Sequence, residues 1–326
     1  MGNLILIGIC RGEYGLGNIM DKKELIKSPL NFTGGKFRLL NQILPLFPKE
    51  IDTMIDLFSG GSNVGVNIEA KKIISIDHQN QLISLFNTFI DQNKDKVFQG
   101  IFDIIDKYNL SKTFEHGYKY YGCNSMDGLG KYNKSKFVKL REGYNRLVDE
   151  ESFYKDIMFY VITIYAFNNQ IRFNKKGKCN IPVGKRDFNL NLQRNLSKFI
   201  DRIKSIDIQF YAMDFKDLSI NTYDKKGLFV YADPPYLITR ATYNEQNGWD
   251  LIKEKELLEL LDQIDLKGIK FALSNVIESN GKRNYILEKW SKKYKVHYLN
   301  YSYNNSNYQK SKSRSSKTIE VLITNY

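Results

Sequence analysis

Apolar runs and their spacing divide the chain into two kinds of sequence. Residues 51–58 (IDTMIDLF) have the pattern of a buried strand closed by glycines. Residues 63–72 suit a short helix, and residues 73–77 (IISID) read as a second strand that ends in an acid. Strand, glycine loop, helix and strand form the opening unit of a nucleotide-type α/β domain. Strand patterns return at 208–213, 228–232, 269–273, 295–301 and 318–324, with a helix at 253–264. Between the two groups the character changes. From residue 79 to about 205 the chain is rich in Tyr, Phe, Asn and Lys, and apolar residues recur at helical spacing. Examples are Leu82, Phe86, Phe89 and Ile90, and again Ile157, Val161, Ile164 and Tyr165.

The pattern predicts an α/β fold: a mixed, mostly parallel seven-stranded sheet with helices on both faces, interrupted by a helical insertion. Residues 28–79 and 206–326 make the α/β domain, and residues 80–205 the insertion. Residues 1–27 read as a loose leader, since their start has dispersed glycines and no amphipathic period. Residues 302–317 are polar and rich in Ser, Asn and Lys, a flexible loop between the last two strands.

Composition narrows the class. With 326 residues, 42% hydrophobic and 26% charged, the chain has the make-up of a folded protein and not of a disordered or fibrous one. Lys and Arg number 49 against 36 acids, a net charge of +13 that favours a polyanionic partner, nucleic acid or anionic membrane surface. The apolar run at residues 4–10 is too short to span a bilayer and lacks the flanks of a signal peptide. A cytoplasmic protein is expected. Cys10, Cys123 and Cys179 are far apart, as are His78, His116 and His297. That spacing predicts neither disulfides nor a bound metal, and chemistry without a histidine base or cysteine nucleophile.

The sharpest chemical signal is Asp233-Pro234-Pro235-Tyr236, directly after the strand at 228–232. The carboxyl end of a parallel strand is where open α/β sheets place ligands. Two prolines stiffen the turn and remove backbone donors. The Asp233 carboxylate and the Pro234 carbonyl are left as convergent acceptors, suited to an amine with two N–H bonds, and Tyr236 offers a face on which a base can stack. A rigid turn with an incidental tyrosine is the plain alternative. The second signal is the run Asp56-Leu57-Phe58-Ser59-Gly60-Gly61-Ser62-Asn63-Val64-Gly65, followed by Asp77 at the end of the next strand. Glycines there let backbone approach a ligand, and Asp77 is placed to accept from ribose hydroxyls. The spacing is not that of a dinucleotide fingerprint, and a tight turn without ligand stays open. The third, Thr33-Gly34-Gly35-Lys36, lacks phosphate-loop spacing.

In this order, with the insertion between the second and third strands, these segments resemble the Dam-type, class alpha (D12 class) DNA adenine N6-methyltransferases. The insertion adds Phe167-Asn168-Asn169-Gln170-Ile171-Arg172-Phe173-Asn174 and Asn180-Ile181-Pro182-Val183-Gly184, similar to the segments that form the DNA-reading hairpin in that family. The match runs from about residue 28 to the C-terminus. It implies a Rossmann-like class I methyltransferase sheet, with residues 80–205 as the target-recognition domain and its hairpin near 167–186. It implies S-adenosylmethionine as cofactor, with Lys36, Asp56, Phe58, Gly60, Asp77, Asp214 and Asp233 at its site. Periodicity alone would make Asp214 an ordinary acid at a strand end. Asp233, Pro234, Pro235 and Tyr236 become the catalytic segment, acting on an adenine flipped out of double-stranded DNA. Residues 166–186 and 301–319 carry many cations and no acid, which fits phosphate contact. Asn168, Gln170, Arg172, Lys185, Lys310, Lys312 and Arg314 are the expected DNA contacts, Arg172 reading a guanine. The expected target is GATC, although Asn169 and Gln170 depart from the small or apolar residues common in the family. A monomer is expected, with a cognate restriction endonuclease as a separate partner. Competing readings are N4-cytosine or glutamine methylation, where Ser or Asn more commonly precedes Pro-Pro-Tyr, a nicotinamide enzyme, and a non-catalytic DNA-binding protein.

Overall fold

The computed structural model describes residues 24–30, 34–147, 152–238, 248–300 and 318–326. Most of the leader and the polar loop at 302–317 lie outside them. The end of the leader is held in place: the Ile26 N–H donates to Asn67 Oδ1 at 2.7 Å and the Asn67 amide returns a bond to the Ile26 carbonyl at 2.7 Å.

The strands are β1 (Thr53–Asp56), β2 (Lys72–Asp77), β3 (Ile208–Ala212), β4 (Leu228–Ala232), β5 (Lys270–Ser279), β6 (Lys282–Arg283), β7 (Lys295–Leu299) and β8 (Thr318–Thr324). They lie in the order β3-β2-β1-β4-β5-β8-β7, with β6 folded back on β5. β3, β2, β1, β4 and β5 are parallel; β8 runs antiparallel to both β5 and β7. The mostly parallel seven-strand expectation holds, with β6 as a short addition. Period-two alternation explains the two layers. Met54, Ile73 and Phe229 face one core, whereas Ile55, Ile74 and Val230 face the other.

The helices are α1 (Leu40–Ile43), α2 (Asn80–Asp91), α3 (Lys94–Lys107), α4 (Thr113–Tyr120), α5 (Gly130–Asn145), α6 (Phe153–Tyr165), α7 (Leu190–Ser205), α8 (Leu251–Leu266) and α9 (Tyr285–Ser291). α8 and α9 cover one sheet face through Leu257, Leu261 and Leu287. The helices between β2 and β3 share the other core with the sheet. α6 is buried from Asp156 to Tyr165, because its sequence is apolar on every side, and α2, α3 and α5 pack around it. No described helix is long and apolar enough to cross a membrane.

The short helix expected at 63–72 does not form. Gly60 and Ser62 take positive φ (45° and 56°), and only isolated helical turns follow, with Val66 N–H bonded to the Ser62 carbonyl and Ile68 N–H to that of Val64. The glycine-rich segment follows the strand tips instead of leaving them as a helix.

Chain order moves outward from β1 through β2 to β3, then returns to the other side of β1 with β4 and β5. The reversal point therefore lies outside the carboxyl ends of β1 and β4, where Asp56 and Asp233 stand.

Candidate active site

β4 is buried throughout and delivers Asp233 at its carboxyl end. The turn brings Tyr236 back so that its hydroxyl donates to Asp233 Oδ1 at 3.1 Å and to Glu320 Oε1 on β8 at 3.1 Å. Gly34, at φ 81°, and Gly35 lead into a 3-10 turn at Lys36–Leu39. That places Lys36 Nζ 2.8 Å from Asp233 Oδ1, 3.6 Å from Glu320 Oε1 and 4.9 Å from the centre of the Tyr236 ring. The Lys36 ammonium also donates to the Gly34 carbonyl at 2.9 Å. Side-chain exposure is 4% for Lys36, 17% for Asp233 and 4% for Glu320. Charges so buried are stable only when paired. Burial opposes the Lys36 charge, but Asp233 and then Glu320 outweigh it and hold the ammonium above its ordinary pKa. Burial raises the Asp233 carboxyl; Lys36 and the Tyr236 hydroxyl oppose that rise, and Glu320 adds to it. Burial, followed by the two acids, raises the Tyr236 phenol.

The glycine loop is fastened to the neighbouring strand tips. Leu57 N–H donates to the Tyr231 carbonyl at 2.9 Å and Ser59 N–H to that of Ile76 at 2.9 Å. Gly60 N–H donates to Asp77 Oδ2 and Gln79 N–H to Asp77 Oδ1, both at 3.0 Å. The Asp77 carboxylate is thus oriented by two amides and, with about four lone-pair sites, keeps acceptor capacity for hydroxyls. Asp56 is 1% exposed. Burial, then the negative charge of Asp233, pushes its carboxyl up to about 8, against the bond from the Gly65 N–H. Asp56 Oδ2, Ser59 Oγ, Ser62 Oγ and Ser75 Oγ are buried without a partner among the described residues. Three of them converge on Gly65: a side-chain carbon there would meet Ser62 Oγ at 3.1 Å, Ser75 Oγ at 3.2 Å and Asp56 Oδ2 at 3.3 Å. Gly65 therefore lets the loop pack tightly over these buried polar atoms.

Met213 N–H bonds to the Asp77 carbonyl at 3.0 Å, which brings Asp214 to the same edge. Asp214 is exposed and caps a 3-10 turn by accepting from Lys216 N–H at 3.1 Å. Beside it Phe58, Phe215 and Trp249 form an aromatic wall, with ring centres 5.4 to 5.6 Å apart. A flat apolar face, a ribose-ready carboxylate and unpaired polar atoms fit an adenosyl group with a polar extension.

Residues 166–183 fold back on themselves. Ala166 bridges to Val183 and Phe173 to Cys179, and the turn between them has Gly177 at φ 71°. Arg172 Nε donates to Asn180 Oδ1 at 2.9 Å and Nη2 to the Asn180 carbonyl at 2.7 Å, so the two sequence segments meet through this pair. Asn168 is exposed at φ 53° and Gln170 is half-buried. Asn169 turns inward: its amide donates to the carbonyls of Ile164 and Thr163 at the end of α6. Lys185 is exposed, its ammonium 3.4 Å from the Met126 carbonyl. Lys310, Lys312 and Arg314 lie outside the described residues.

Lys36, Asp233 and Tyr236 thus come together directly, and Asp56, Phe58, Gly60, Asp77 and Asp214 occupy the adjoining strand tips. Sequence reasoning missed Glu320, Phe215 and Trp249. Glu320 had a legible signal, an acid inside the otherwise apolar and Thr-bounded run TIEVLIT. The aromatic pair had none, because its members are distant in sequence and meet only in the fold.

A doubly flanked, mostly parallel sheet with a glycine loop and an Asp-Pro-Pro-Tyr turn at its reversal point has the Rossmann-like architecture of class I methyltransferases. Residues 32–305 match the model of the D12 class N6 adenine-specific DNA methyltransferases, and the chain belongs to that family. It is 39% identical over 307 residues to type II methyltransferase M.FokI of Planomicrobium okeanokoites, covering 92% of this chain and 43% of that protein. To modification methylase StsI of Streptococcus sanguinis it is 38% identical over 316 residues, covering 94% and 44%. The DNA adenine methylase of Salmonella typhi is 25% identical over 251 residues, covering 76% and 79%. The chain spans less than half the length of the two modification methyltransferases.

Proposed function

We propose that the chain transfers a methyl group from S-adenosylmethionine to the N6 amine of an adenine flipped out of double-stranded DNA. The observation that carries this reading is the buried cluster of Asp233, Lys36 and Tyr236 at the sheet's reversal point, beside the loop from Asp56 to Gly65. S-adenosylmethionine, when bound, supplies a methyl group already activated by its sulfonium. Phe58 and Gly60 would line its site, Asp77 would accept from the ribose, Asp214 would meet the adenine, and Asp56 and Lys36 would complete the site.

The Asp233 carboxylate and the Pro234 carbonyl accept the two N–H bonds of the target amine. That draws the nitrogen lone pair out of the ring and stabilises the positive charge that grows on nitrogen as the N–C bond forms. As that bond forms the methyl–sulfur bond would break, leaving the neutral thioether, and the proton lost by the charged nitrogen would pass by way of the Asp233 carboxylate to solvent. Pro235 stiffens the turn, and the Tyr236 ring stacks on the base. Asn168, Gln170, Arg172 and Lys185 contact DNA from the hairpin, with Lys310, Lys312 and Arg314 adding phosphate contacts. The proposed target is GATC, carried by the resemblance alone. The proposed enzyme works as a monomer, in the cytoplasm, alongside a separate endonuclease.

The test is transfer of labelled methyl from S-adenosylmethionine to duplexes that differ at one site. Label in N6-methyladenine of the GATC duplex supports the whole reading. Label in another adenine context retains the chemistry and overturns the target, whereas label in cytosine overturns both.

A further inference from the structure

Glu320 is the second acid of the pocket, and one carboxylate would suffice to pair Lys36. A further buried negative charge costs free energy unless it has work to do. Glu320 stands on β8, fixed by antiparallel pairing to both β5 and β7, whereas Asp233 stands on the turn after β4. It reaches the same two groups that occupy Asp233 Oδ1: the Lys36 ammonium at 3.6 Å and the Tyr236 hydroxyl at 3.1 Å. Asp233 therefore faces a conflict. Lys36 draws on the same carboxylate whose charge is to stabilise the target amine, and a buried ammonium that shifts away from it needs another anion.

We propose that Glu320 is a positioning residue that takes over Lys36 and Tyr236 when Asp233 turns to the target amine. This rests on the function proposed above and deepens it. With Lys36 retained by Glu320, Asp233 exchanges one cationic partner for the amine, on which positive charge develops, and the ammonium never loses its counter-ion. Asp233 and Glu320 both face the Lys36 ammonium, and carboxylates at that point favour the developing charge. The other ionisable groups facing Asp233 are Tyr231, Tyr236 and Asp56.

Three variants of the full chain test it: Glu320→Gln, Glu320→Asp and Lys36→Met, with the Gln and Met changes also combined. Glu320→Gln is expected to lower kcat by about ten- to a hundredfold, the scale of a misplaced reacting group, with the Kd for S-adenosylmethionine within about twofold. Glu320 raises the Asp233 carboxyl, so the acid limb of the kcat–pH profile is expected to move to lower pH in Glu320→Gln even as the rate falls. A merely structural defect would lower the rate without that displacement. Glu320→Asp keeps the charge and is expected to recover most of the loss. On a Lys36→Met background the Gln change is expected to cost under about threefold, because the group it receives is gone. Wild-type kcat in Glu320→Gln, an unmoved acid limb, or equal losses in both backgrounds would overturn the proposal. Should Glu320→Gln fail to fold, an Asp variant no better than background, while still binding cofactor, would overturn it too. A folded wild type without methyl transfer would overturn the function itself, and this inference with it.

Discussion

In the proposed chemistry Asp233 accepts the amine as a carboxylate, yet burial works against that ionisation, and among the described residues Lys36 and the Tyr236 hydroxyl oppose the rise. Two consequences follow for the residue. Asp233→Ala is expected to reduce methyl transfer by at least about a hundredfold, as for loss of one preorganised transition-state partner, while the cofactor Kd stays within a few-fold; near-normal turnover would remove Asp233 from the chemistry. The rate is also expected to fall with decreasing pH at higher pH than for an ordinary carboxylate. The raised carboxyl of Asp56 bears on stability. Its carboxyl titrates at about 8 in the fold against 3.8 ordinarily, so the folded protein holds a proton that the unfolded chain has released. Stability is therefore lost as pH rises through that window. Asp56→Asn, neutral at every pH, is expected to gain in Tm over the wild type by an amount that grows from pH 5 to pH 8. A difference independent of pH in thermal melts would contradict the buried, protonated Asp56. Asp233 was legible in the sequence because two prolines fix it after an apolar strand; the pairing of Lys36 with Glu320 was not, because it joins residues from opposite ends of the chain.

At the scale of elements, the strands were legible wherever burial is complete, as in β4 and β8, whose apolar residues run unbroken or nearly so. β5 extends to Ser279, beyond the expected 273, because its later residues Ser274 and Asn275 are polar yet buried and still pair with β8. The loop after β1 misled because Val64 and Ile68 stand at the i, i+4 spacing of a helix, while the positive φ of Gly60 and Ser62 turns the chain along the strand tips. The hairpin depends on one close approach: a side-chain carbon at Gly184 would lie 2.2 Å from the Ala166 carbonyl oxygen. Gly184→Ala is expected to displace the hairpin and weaken DNA binding by at least tenfold in a gel-shift titration, with the cofactor Kd preserved; unaltered DNA affinity would show that hairpin geometry is dispensable. Arg172→Ala removes the guanidinium that joins the hairpin strands at Asn180. As a base reader it is expected to relax discrimination at one base pair by about 1–3 kcal/mol, measured as relative kcat/KM over duplexes with single substitutions.

Over the whole molecule, the net charge of +13 and the acid-free stretches at 166–186 and 301–319 give non-specific affinity for a polyanion. Duplex binding is expected to weaken linearly in log–log salt titrations, and Lys185→Ala to reduce the slope by about 0.9 if that ammonium meets one phosphate. In the proposed reading charge attracts without sequence choice, the hairpin adds choice and the strand tips add chemistry. The most direct measurement is to express the chain in a methylation-deficient bacterium, with Asp233→Ala in parallel, and map modified bases by single-molecule sequencing. N6-methyladenine is expected at one short motif throughout the genome in the wild type and nowhere in the variant. Absence of modified adenine from a folded protein that binds S-adenosylmethionine, or modification at cytosine instead, would contradict adenine N6 transfer at Asp233.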